Sequence, residues 1–256
     1  MTVEYVSVED AIARDGLRMV VVGGIPSPWG EAAKSIFHIK RIPWVAVRLA
    51  YDSEALKQWT GQRNGPVAMY RDEPPRSGWA EILELAERLA PQPAQWPADA
   101  AQRAAMLALA GEICGPGGLG WTRRLQLVHA GLQGNGGFAA PAAKYLAKRY
   151  GYEADAAASY GPRVVELLGA LSAQLHAQRE AGSVYAMGHA LSAIDVYCAT
   201  FIALFRPLPQ DQCAMDSATR DAFETVDADT AAALDPILLE HRDMMYARHL
   251  ELPLSL

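Results

Sequence analysis

Residues 185–201 read YAMGHALSAIDVYCATF, and inside them lies a complete helix-start signal. Ser192 is a helix-capping residue, and Asp195 is placed to return a hydrogen bond to the Ser192 backbone N–H. Leu191 and Val196 stand at the two positions of a hydrophobic staple. An apolar run follows: Val196, Tyr197, Ala199, Phe201, Ile202 and Leu204. A box of this kind stabilises a helix by roughly 1–2 kcal/mol where a helix is already wanted. It fixes architecture and says nothing of chemistry.

The rest of the chain changes style near residue 90. Before it, short β-like and helical segments alternate. Residues 17–22 (LRMVVV), 44–49 (WVAVRL) and 65–70 (GPVAMY) read as strands. Residues 30–41, 53–59 and 78–89 read as helices, the last with Trp79, Ile82, Leu83, Ala86 and Leu89 on one face. Residues 71–77 (RDEPPRS) read as a turn or the rim of a fourth strand. This is a split α/β unit of the thioredoxin-like kind. Three prolines within residues 90–100 mark a linker. From residue 98 the chain is rich in Ala and Leu, with helices expected at 98–114, 119–132, 140–150, 158–181, 192–206, 217–226 and 229–249. The division is an extension at 1–16, an α/β domain at 17–90, a linker at 91–97 and an all-α domain at 98–256.

A net charge of −6 disfavours a nucleic-acid partner, because phosphate binding wants a basic face. No apolar run reaches the length of a membrane span. The acidic N-terminus lacks a basic-then-apolar leader pattern, so a cytoplasmic location is expected. Cys114, Cys198 and Cys213 form no CxxC pair, and their odd number argues against a disulfide framework. Cys198, inside the apolar run, reads as a buried small hydrophobe. The scattered histidines suggest no metal site.

Tyr185-x-x-Gly188 followed by Leu191-Ser192-x-x-Asp195-Val196 resembles the buried N-capping box and sixth helix of the glutathione transferase fold. The α/β part, Pro-rich linker and larger helical part extend the resemblance over most of the chain. Residues 1–16 and the Gly-rich breaks at 115–120 and 134–137 lie outside it. Residues 27–44, SPWGEAAKSIFHIKRIPW, resemble the first helix of serine- and cysteine-type members. The resemblance implies that Ser27 takes the catalytic position, beside Pro28 and Trp29. A hydroxyl at a helix N-terminus stabilises a thiolate by hydrogen bonding and by the helix dipole. On local sequence alone, Ser-Pro reads better as a routine N-cap with proline at the first helical position.

Gly65-Pro66 resembles the family's cis-proline turn, which pairs through backbone with the cysteinyl part of glutathione. Its other reading is a strand-opening proline. The family's acidic residue and serine before the next helix align with Ser77 and Gly78, so the acid is missing. A one-residue slip puts Arg76 there instead. Losing a charge-assisted contact costs on the order of 1.5–3 kcal/mol, or one to two decades in affinity.

Residues 115–120, GPGGLG, fit G-x-G-x-x-G, but the preceding segment reads as helix, so a break between helices is the better reading. Trp121-Thr122-Arg123-Arg124 reads as a solvated helix face, or less readily as the border of a substrate cleft with Met106 and Leu109. The expected protein is a glutathione-dependent enzyme acting on a small electrophile, as a homodimer. The alternatives are a silent binding or assembly module and an enzyme using another cosubstrate.

Overall fold

The computed structural model describes residues 3–256. Four strands form one mixed sheet: β1 (Glu4–Tyr5), β2 (Leu17–Val21), β3 (Trp44–Arg48) and β4 (Val67–Tyr70), in the order β1-β3-β2-β4. Strand β2 is buried at every position, as a central strand covered on both faces must be. It runs parallel to β3, with Leu17 opposite Trp44, and antiparallel to β4, with Val20 opposite Val67.

Side chains alternate between two faces. Leu17, Met19, Val21, Ala46 and Ala68 join the main core with α2 (Pro28–Ile39) and α4 (Trp79–Leu89). Val20, Val47, Val67 and Met69 meet Ala11 of α1 (Val8–Ala13) and Leu56 of α3 (Glu54–Thr60) on the other. Within the extension at 1–16, Glu4–Tyr5 adds an edge strand to the sheet and α1 packs on one of its faces. Strand β1 pairs parallel with β3, and Ser7 caps α1 by accepting the Asp10 N–H at 3.0 Å. Of the rim at 71–77, one antiparallel bridge forms, between Ala68 and Arg76.

The linker is pinned. Lys40 donates to Glu87 at 2.7 Å, to the Ala90 carbonyl at 2.7 Å and to the Pro93 carbonyl at 2.9 Å. The Gln95 carbonyl accepts the Ala193 N–H at 2.7 Å, which ties the linker to the capping-box helix.

Beyond it come α5 (Ala100–Cys114), α6 (Leu119–Gln133), α7 (Ala140–Tyr150), α8 (Ala157–Glu180), α9 (Ala193–Ile202), α10 (Ser217–Glu224), α11 (Ala228–Ala233) and α12 (Pro236–Arg248). The single helix expected at 229–249 is two helices. Pro236 lacks an N–H and drives Asp235 out of helical geometry, and Asp235 then caps α12 by accepting the Ile237 N–H. Helix α9 is buried along its whole length and packs against α2, α5 and α12. Its Asp195 accepts the Ser192 N–H at 2.9 Å, the Ser192 hydroxyl at 3.2 Å, the Ala186 N–H at 2.6 Å and His241 Nε2 at 3.0 Å. One core thus runs through both halves of the chain.

The Gly-rich stretch at 115–120 is the corner between α5 and α6. A Cβ on Gly118 would lie 2.6 Å from the Glu112 carbonyl oxygen. On Gly120 it would lie 2.3 Å from the Phe201 ring. Close packing, not a nucleotide, accounts for these glycines.

Candidate functional site

Ser27 sits where β2 hands over to α2, buried between Pro26 and Pro28. Its carbonyl accepts the Glu31 N–H at 2.8 Å, the first helical bond, and Pro28 fills the first helical position. Its hydroxyl makes no capping bond. The unpaired N–H groups and positive end of the helix dipole converge at the same point. A hydroxyl not committed to its own helix, beside that end, can donate to a ligand sulfur and hold it as a thiolate.

The Gly65–Pro66 peptide is cis. A Cβ on Gly65 would come 3.3 Å from both the Val20 carbonyl oxygen and the Val22 nitrogen. The turn therefore lies flat against the strand end that leads to Ser27. Next to it, Asn64 Oδ1 is buried with no partner.

The start of α4 is arranged differently. Glu81 Oε2 accepts the Gly78 N–H at 2.9 Å and the Ser77 N–H at 3.2 Å. The helix end is already satisfied by an internal carboxylate. Arg76 is taken up by Glu73 at 2.7 Å, which Arg88 also engages at 2.6 Å. Arg76 instead lines a groove of about 680 Å³ between α4 and the linker, with Arg88, Trp96 and Arg103.

Trp29 faces the interior. Its Nε1 donates to the Cys114 carbonyl at 2.8 Å, and its ring meets Phe201 edge-on at 5.0 Å. The space between Trp29, Ile36, Trp79, Tyr197 and Phe201 amounts to about 10 Å³, no larger than one water needs. Met106 is fully buried in the core and Leu109 is half-buried against it. Trp121 packs on Tyr150 at 4.7 Å and donates to its carbonyl. Arg123 is not on a solvated face. It is fully buried, donating to the carbonyls of Phe223 and Thr225 at 2.9 and 2.8 Å. Arg124 lies over Trp29 and Tyr150.

All three cysteines are free and buried, and burial pushes each thiol up from its ordinary value. None is a ready nucleophile, so thiol chemistry here needs a thiol from outside.

No protein-family model matches the chain, and no curated protein sequence does. Solved structures do. A glutathione S-transferase from Methylobacterium radiotolerans JCM 2831, in complex with glutathione sulfonate, is 17% identical, with 91% of each chain covered and a TM-score of 0.60. One from Methylobacillus flagellatus KT with glutathione bound is 13% identical, covering 91% of this chain and 96% of that one, at a TM-score of 0.62. A family member from Pseudomonas fluorescens Pf-5 with two glutathione bound is 15% identical, covering 92% and 97%, at 0.55.

The chain has the glutathione transferase fold. Its α/β part is thioredoxin-like and the remainder is mostly helical. Within a glutathione transferase fold, Ser27 and the cis turn stand at one end of the sheet, while Arg76 is engaged by Glu73. Glu81 was missed from sequence, although Gly78-x-x-Glu81 has the spacing of a capping residue and its returning acid. Tyr51, Tyr145 and Arg149, which gather near Arg124, carry no motif.

Proposed function

We propose that this chain is a glutathione transferase-like enzyme in which Ser27 donates a hydrogen bond to the glutathione sulfur. The thiolate so favoured attacks a small hydrophobic electrophile, in conjugation, isomerisation, or ether or halide cleavage. The observation that carries this reading is the uncommitted Ser27 hydroxyl at the start of α2, beside the cis Gly65–Pro66 turn. Related folds holding glutathione or its sulfonate support the choice of cosubstrate. No helix among the described residues is long and apolar enough to cross a membrane. We place the protein in the cytoplasm, as a homodimer. The division into 17–90, the linker 91–97 and 98–256 belongs to the same proposal.

The residues fit glutathione unevenly. The sulfur end would meet Ser27 and the backbone of Gly65. The γ-glutamyl carboxylate would meet Ser77 and Gly78 N–H groups already held by Glu81, and that negative charge opposes it. The same contact favours a second reading, a thiol cosubstrate without a free amino-acid end. Calorimetric titration with glutathione separates them. Binding at millimolar glutathione or tighter supports the first. Its absence, with turnover of another thiol, supports the second, and no thiol-dependent turnover at all indicates a silent module.

A further inference from the structure

We propose that Arg124, held between Trp29 and Tyr150, binds the carboxylate of a planar ligand. This rests on the thiol-transfer reading and names an acidic, flat substrate for it. The Arg124 guanidinium carbon lies 5.2 Å from the centre of the Trp29 ring and 5.2 Å from that of Tyr150. Nη1 donates to the Tyr150 hydroxyl at 3.1 Å, and Nε is buried with no partner. No carboxylate among the described residues pairs with Arg124, in a chain whose net charge is −6. A half-buried cation fixed between two aromatic faces, with no carboxylate of its own, is suited to take an anion through its terminal N–H groups.

The surroundings fit a flat acid. Tyr51 follows β3, at the same end of the parallel strands as Ser27, where ligands gather in open α/β sheets. Tyr145 of α7 crosses to meet it with ring centres 5.1 Å apart, and both rings remain more than 40% exposed. Arg149, also unpaired with any carboxylate among the described residues, donates to the Arg63 carbonyl at 2.9 Å and acts electrostatically on Tyr51, as Arg124 does. Two guanidinium groups and two exposed phenol rings offer charge-assisted hydrogen bonds and stacking surfaces together. The carboxylate could belong to the electrophile or to the thiol cosubstrate.

Benzoate is the probe, with benzamide as its neutral counterpart. Titrated into the full chain, benzoate should bind and benzamide should bind about tenfold more weakly or not at all. Arg124→Gln should weaken benzoate by about tenfold or more, and Arg124→Lys should restore part of that. Melting curves establish that both variants are folded, and the Lys variant carries the test if Gln fails to fold. If glutathione affinity is unchanged by Arg124→Gln, the site serves the second substrate. If it falls in parallel, the site holds the cosubstrate's carboxylate. Benzoate binding that ignores Arg124, or that benzamide matches, overturns the proposal. Should glutathione not bind at all while benzoate still depends on Arg124, the choice of cosubstrate fails and this site stands.

Discussion

Glu81 accepts the backbone N–H of Gly78 across 2.9 Å, and the same carboxylate oxygen takes the Ser77 N–H at 3.2 Å. The N-terminus of α4 is thereby closed to an incoming carboxylate. Glu81→Ala should open it. The lost cap should cost about 0.5–2 kcal/mol of stability. Glutathione should bind more tightly, by up to about tenfold. Paired melting curves and calorimetric titrations check both; weaker glutathione binding in the variant would show that Glu81 helps the ligand instead of competing with it.

Gly120 has no room for a side chain, since its Cβ would press 2.3 Å from Phe201 and 3.2 Å from Trp29. Gly120→Ala should destabilise by about 1–3 kcal/mol through overpacking. Gly111, inside α5, has nothing within 4 Å of its would-be Cβ, and Gly111→Ala should stabilise by about 1 kcal/mol. Urea unfolding of the two variants should give shifts of opposite sign.

Arg123 is buried without an ion pair among the described residues and spends its donors on carbonyls of Phe223 and Thr225 and on Gln126 Oε1. Lysine cannot reproduce that fork. Arg123→Lys should therefore cost roughly 2–4 kcal/mol by leaving buried carbonyls unpaired. A urea midpoint close to wild type would refute this assignment.

Much of the architecture was legible in the sequence because apolar spacing and punctuation agreed. The Ser192–Asp195 box and the helix limits at 140–150 are of this kind. The break at Pro236 was readable in principle, but the apolar spacing on either side of it is continuous. Residues 3–13 escaped because a two-residue strand has too little periodicity to register. At the site, Ser27 and Gly65–Pro66 are local motifs. The Arg124 cluster is assembled from four separate elements, so no stretch of chain displays it.

Glu31, one turn beyond Ser27, gives a pH test of the core. Burial pushes its carboxyl above the ordinary value, against the pull of Lys34 at 2.6 Å. A carboxyl raised in the folded state binds its proton more tightly there than in the unfolded chain. Its contribution is therefore present at low pH and is lost as pH rises from the ordinary 4.5 through the raised folded value. Glu31→Gln should flatten this segment of the stability–pH profile, as read from urea midpoints across that range.

The role of Ser27 is tested most directly by the ultraviolet absorbance of bound glutathione thiolate, followed against pH in wild type and Ser27→Ala. Wild type should hold the bound thiol ionised at a pH where free glutathione is protonated. Ser27→Ala should bind glutathione and shift that ionisation up by about one pH unit or more, the worth of roughly one hydrogen bond to a charged group. Identical ionisation curves for the two proteins would contradict the account.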